Sequence, residues 1–159
     1  MRRAALAFAA AAAAAAAAAQ PALVAEGEVR YACGGAGVEE REALGALERE
    51  TNLKLVFVTQ KRGGYLADVA LTVQDAGGRE RLRTLAPGPV CMLALPAGRY
   101  RLVAAYGGER RNAAVDVPAQ TARPRTVVFA FPGEKWDGIW ASEEEKAGAR
   151  AGQRAAASR

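Results

Sequence analysis

The stretch Tyr65-Leu-Ala-Asp-Val-Ala-Leu-Thr-Val-Gln-Asp75 decides the fold class. Ala67, Val69, Leu71 and Val73 fall on one side of an extended chain, with Asp68, Ala70, Thr72 and Gln74 on the other. That period of two marks a strand buried on one face only. The same grammar repeats in both directions. Leu53 to Thr59 groups Leu53, Leu55 and Phe57 on a side, and its β-branched and aromatic content favours strand. Lys61-Arg62-Gly63-Gly64 is a turn between the two. Asp75-Ala76-Gly77-Gly78 is a hairpin signal leading into a short polar strand near 79–85. After Pro87-Gly88-Pro89, Val90 to Leu95 is a nearly continuous apolar strand. Pro96-Ala97-Gly98 leads into Arg99 to Tyr106, Gly107-Gly108 into 109–117, and Arg125 to Phe131 is the last strand. Seven short strands, spaced by about ten residues with Gly or Pro between them, predict a mainly β protein built as a seven-stranded antiparallel β-sandwich.

One short helix is expected ahead of the sandwich. In residues 38–50, Ala43, Leu44 and Leu47 share a helical face while Glu40, Arg41 and Glu48 point away, and Asn52 ends the run. Glu39, Glu40 and Glu42 in the first turn complement the helix dipole. Further back, Met1-Arg2-Arg3 is followed by an uncharged, alanine-rich run from Ala4 to Ala19, the layout of a secretory signal peptide. Alanine is too weakly apolar for this run to read as a membrane anchor. Cleavage falls after Ala19 or after Ala25. The expected organisation is a signal peptide over 1–25, an N-terminal segment with the helix over 26–52, the sandwich over 53–133 and a tail over 134–159. In that tail, Ser142-Glu143-Glu144-Glu145 fits a capping box before a short helix, and the composition beyond Gly148 favours disorder.

The segments Tyr65 to Asp75, Gly88-Pro89 and Leu95-Pro-Ala-Gly-Arg-Tyr-Arg-Leu102 carry a resemblance. They are similar to the carboxypeptidase regulatory-like modules, transthyretin-like (prealbumin-like) β-sandwiches in which a "L-P-x-G-x-Y" turn leads into a later strand. The resemblance covers about residues 53–131, while Tyr31-Ala-Cys-Gly-Gly-Ala-Gly37, the acidic helix and Leu53-Lys-Leu-Val-Phe57 look like a subgroup of secreted proteins of Gram-negative bacteria. It implies a fold and an extracytoplasmic compartment. It implies no activity, since such modules are accessory parts of larger peptidases, receptors and surface proteins.

The residue inventory narrows the chemistry. The chain has no histidine, which removes the commonest general base, the usual zinc ligand and every imidazole-dependent triad. Its serines, Ser142 and Ser158, both lie in the tail. Asp68, Asp75, Glu80, Glu109 and Asp116 form no recognisable acid/base constellation, and Asp75 is explained by its turn. Gly34-Gly35-Ala36-Gly37 precedes a helix, but the acidic first turn would repel a phosphate and no Lys-Ser/Thr pair follows. Cys33 and Cys91 are the two cysteines, and in an oxidising compartment a pair favours one disulfide. The competing reading is a buried Cys91 and a free Cys33.

Net charge falls from +5 to +3 once Arg2 and Arg3 are removed. The basic residues look scattered along strands and turns and lack interleaved aromatics, which argues against nucleic acid as partner. Trp136 and Trp140, one helical turn apart in the tail, are candidate partner contacts or covers for an exposed edge. These observations predict a non-enzymatic periplasmic or secreted binding module with no cofactor and no retained membrane span. Its partner would be a protein or cell-envelope component. A structural or stress-related envelope factor and a carboxylate-dependent enzyme are the alternatives.

Overall fold

A computed structural model describes residues 21–119 and 121–132 of the chain. The expected signal-peptide core and the tail with Trp136 and Trp140 lie outside the described residues. Nine strands and one helix follow in chain order: β1 Val24–Glu26, β2 Val29–Gly34, α1 Val38–Gly45, β3 Leu53–Thr59, β4 Val69–Asp75, β5 Glu80–Ala86, β6 Val90–Ala94, β7 Gly98–Tyr106, β8 Glu109–Val117 and β9 Arg125–Phe131. They form a five-stranded sheet ordered β1-β2-β6-β3-β9 and a four-stranded sheet ordered β5-β4-β7-β8. Inward side chains from both sheets build one core, among them Leu53, Leu55 and Phe57 of β3, Val69, Leu71 and Val73 of β4, Leu102 of β7 and Phe131 of β9. Each large apolar side chain so removed from water contributes ~1.5–3 kcal/mol before chain entropy is counted.

The mainly β sandwich expected from the sequence is present, with three differences of detail. The segment ahead of the helix is not a separate region: β2 pairs with β6 along its length and places Val29 in the core. Val29, Tyr31 and Cys33 alternate with Arg30, Ala32 and Gly34, but the run is short and ends in glycines, so its period is easily missed. The sheets are not wholly antiparallel, because β9 lies parallel to β3, with Leu53 opposite Arg125 and Thr59 opposite Phe131. Strand β4 begins at Val69 instead of residue 65. Asp68 takes a left-handed conformation at φ 57° and breaks the alternation, so Leu66 is buried in place of Ala67. Aspartate tolerates that region better than most side chains.

The helix is also shorter than expected, passing at Ala46–Arg49 into a 3₁₀ turn. Eight residues are too few for a stable isolated helix. Tertiary contacts hold it, with Leu44 buried against Ala32, Val90 and Met92 in a small second core on the outer face of the larger sheet. This explains the unbroken apolar run of β6: Cys91 and Leu93 face the main core while Val90 and Met92 face the helix. Gly88 fits because it has no side chain, since a Cβ there would run into the backbone of Gly34.

The two cysteines meet across β2 and β6. Cys33 sits directly opposite Cys91 with Cα atoms 4.1 Å apart and the sulfurs at bonding distance. The pair joins residues 58 apart in sequence and pins β2, which the sequence left outside the sandwich, to its centre.

Asn52 has a larger role than stopping a helix. Its side chain is buried, donating to the carbonyls of Leu95 at 2.7 Å and Pro118 at 3.1 Å and accepting from the Leu95 amide at 2.9 Å. Its backbone donates to Leu93 and accepts from Arg125. One side chain therefore ties the start of β3 to the β6–β7 turn and the loop between β8 and β9.

Candidate binding surface

The glycine-rich loop is closed to anions by its own helix. The Glu40 carboxylate accepts from the Ala36 amide at 3.0 Å, and Arg41 donates to the Gly35 and Ala36 carbonyls at 2.8 and 3.2 Å. A side-chain carboxylate thus occupies the position at the helix start that a phosphate would need.

The acids considered for catalysis are dispersed. Asp75 accepts from the Gly77 and Arg79 amides, both at 3.0 Å, and pairs with Arg81 at 3.1 Å, so its carboxylate shapes the hairpin. Asp116 is paired with Arg99 at 3.0 Å. Strand register places Asp68 and Asp116 at opposite ends of the smaller sheet, offset by about eight residues and so about 27 Å apart at ~3.4 Å per residue, too far for an acid/base pair. Arg83, hydrogen-bonded to Glu80, holds that exposed carboxyl below its ordinary value. Among the described residues no three acids or cysteines come together in a way that could hold a metal ion.

The "L-P-x-G-x-Y" turn has a structural explanation. Tyr100 is buried and its hydroxyl donates back to the Pro96 carbonyl at 2.8 Å, fixing the entry to β7. Burial pushes this hydroxyl above its ordinary value, with Asp75 and Glu28 acting in the same direction and Arg81 against them. The raised value means that the folded state favours the neutral phenol. Its contribution to stability is complete below about pH 10 and is lost as pH rises through the folded value. Tyr100→Phe should therefore flatten the alkaline limb of the stability curve while costing about 1 kcal/mol at neutral pH from the lost hydrogen bond. Urea midpoints at pH 7 and above pH ~10 check this, and parallel curves for the two proteins would refute it.

Two concavities are of ligand size. The larger, about 480 Å³, is an open polar hollow lined by Glu28, Arg30, Arg49, Glu50, Thr51 and Asn52, among others. One buried polar group of its lining, the Asn52 amide, is already committed to Leu95 and Pro118. The smaller, about 290 Å³, lies beside α1 on the outer face of the five-stranded sheet. Its apolar lining is Leu44, Val56, Val90 and Met92, and its polar lining is Arg41, Lys54, Tyr65 and Thr126. Arg41 stacks over the Tyr65 ring at 5.2 Å, and Lys54 pairs with Glu48 at 3.2 Å.

That groove opens onto a half-sheet that no described element covers. The helix covers β2 and β6 only. On β3 and β9 the outward residues are Lys54, Val56 and Val58 beside Thr126, Val128 and Ala130, matched in parallel register. Val128 and Tyr65 are exposed at 57% and 59%. The sequence carried a signal for this surface that period-two reading passed over. Beyond Lys54 and Thr126, both β3 and β9 are apolar on both of their faces, and one eight-residue helix is too small to cover all of that.

Of the residues singled out from sequence, Cys33 and Cys91 are brought together and Trp136 and Trp140 lie outside the described residues. No family model matches the chain, and no curated protein matches it. Among the described residues, the fold and this surface define a disulfide-pinned, nine-stranded β-sandwich with half of one sheet face left open.

Proposed function

We propose that this chain is an exported, non-enzymatic binding module of the cell envelope, and that it holds a partner protein on the outer face of β3 and β9. The observation that carries the reading is the contiguous apolar surface formed by Val56, Val58 and Val128, continuous with the groove beside α1. Such a surface, rimmed by polar side chains, is the usual mark of an interaction site. Arg41, Lys54 and Tyr65 on the rim supply the polar contacts that orient a partner. The cysteine pair supports an oxidising compartment, and the Arg2-Arg3 start with its alanine run supports export to the periplasm. Cleavage after Ala19 leaves β1 whole, whereas cleavage after Ala25 removes Val24 and Ala25 from it. The two-sheet architecture and the Tyr100 turn support the likeness to carboxypeptidase regulatory-like modules, which are accessory units.

Quantitative affinity capture from periplasmic extract tests this reading. Val56→Asp places a charge on the groove floor, with the unfolding midpoint checked as a control. A partner enriched by the wild-type chain should fall by about tenfold or more with the variant, as expected for one buried unpaired charge. Equal recovery by the two proteins would sink the proposal.

A further inference from the structure

Among the described residues no strand pairs with the outer edge of β9, and that edge points to a second copy of this chain as its occupant. The Arg125 amide donates to Asn52 and the Phe131 carbonyl accepts from Gln60, so residues 125, 127, 129 and 131 direct their backbone groups toward β3. The alternate residues Thr126, Val128 and Ala130 therefore direct theirs to the open edge. There, the Ala130 carbonyl accepts from the Arg111 side chain at 3.2 Å.

Exposed edges are ordinarily blunted by charge, brevity or irregularity. The other described edges follow that rule. Strand β1 has three residues, β5 carries Glu80, Arg81 and Arg83, and β8 carries Glu109, Arg110, Arg111 and Asp116. Beyond Arg125, β9 reads Thr126-Val-Val-Phe-Ala-Phe131, without charge, proline or glycine. It is the strand chemistry most prone to accept another strand.

We propose that two copies pair antiparallel through β9 about a two-fold axis at Val128. In that register Val128 faces Val128 of the second copy and Thr126 faces its Ala130. The outward backbone groups of Thr126, Val128 and Ala130 then meet one another, as an isologous interface requires, with the Arg111 side chain giving up the Ala130 carbonyl to the facing Thr126 amide. Arg125 falls opposite Phe131, so the like charges at the strand ends do not face each other. The exposed Val128 side chains touch across the axis, on the same face as Val56 and Val58.

The consequence deepens the binding role proposed above and rests on it. Pairing fuses two five-stranded sheets into one of ten strands, with a helix α1 at either side of the same face. The uncovered halves become a single valine-floored cleft, about 24 Å between the two β6 strands at ~4.8 Å per strand spacing. That width admits one helix of a partner, about 10–12 Å across. The half-groove of a single copy is thus an incomplete site.

Sedimentation velocity on the exported full chain, from about 1 to 500 µM, tests the pairing without any partner. The wild-type chain should dimerise. Val128→Lys, which places two ammonium groups on the axis, should weaken the dimer by at least about tenfold. Thr126→Lys provides a second variant on the same edge, and each must retain the wild-type unfolding midpoint to count. Arg101→Glu, on the outer face of the other sheet, should leave the dimer unchanged. A wild-type chain that stays monomeric throughout, or a dimer insensitive to both lysine variants, overturns this inference. Partner capture by the Val56 groove is read separately and would survive that result.

Discussion

Replacing Asn52 with leucine is expected to lower the unfolding free energy by about 3–4 kcal/mol, the largest effect of any single substitution considered for this fold. Leucine matches the volume but abandons the Leu95 amide, the Leu95 carbonyl and the Pro118 carbonyl. An unsatisfied buried polar group costs ~1–3 kcal/mol, and the polar hollow beside Asn52 lets water recover part of that. Asn52→Asp should also destabilise, because the atom that donates to two carbonyls becomes a charged acceptor facing them. Urea midpoints with an unchanged m-value check the claim. A leucine variant within about 0.5 kcal/mol of wild type would mean that the bridge between β3 and the two loops is not needed.

The second large effect is expected at the cysteine pair. Closing a 58-residue separation stabilises by ~4 kcal/mol in the chain-entropy treatment, against a typical total of ~5–15 kcal/mol for a domain of this size. Cys33→Ala with Cys91→Ala, or reduction of the wild-type chain, should therefore remove a large part of the stability. Cys91 is fully buried, so reductant should act only through opening of the β2–β6 ladder. Thiols of the native protein that resist alkylation until reductant is added, together with a matching fall in the urea midpoint, are the expected results. Free thiols in the native chain, purified under oxidising conditions, would refute the bridge.

These two features show where sequence reading reaches and where it stops. Strands β4 and β7 were legible because one face meets the core and the other meets water, so burial writes a period of two into the residues. The β6 run was legible as a strand, but the helix on its second face was not, since a continuous apolar run does not say what covers it. Asn52 could be read only as a helix stop. Its partners lie 43 and 66 residues away, and nothing local announces them. The same limit applies to charge. Arg83, Arg101 and Arg110 look scattered in the chain, yet register through Thr72, Val103 and Ala105 sets them on the solvent face of the smaller sheet.

The proposed binding surface was the least legible element. Strand-edge addition was foreseeable for any open sandwich, but which edge is free follows from the parallel docking of β9 on β3, an arrangement fixed by contacts more than 60 residues apart. Once that pairing is known, the outward Val56, Val58 and Val128 acquire their meaning as one patch.

Photo-cross-linking in cells is the most direct test of the central claim, with a photoreactive side chain placed in turn at positions 56, 128 and 103. The account predicts that position 56 links to a different protein and that position 128 links to a second copy of the chain. Val103, on the solvent face of the other sheet, should give neither. Discrete adducts from position 103, with none from position 56, would contradict it.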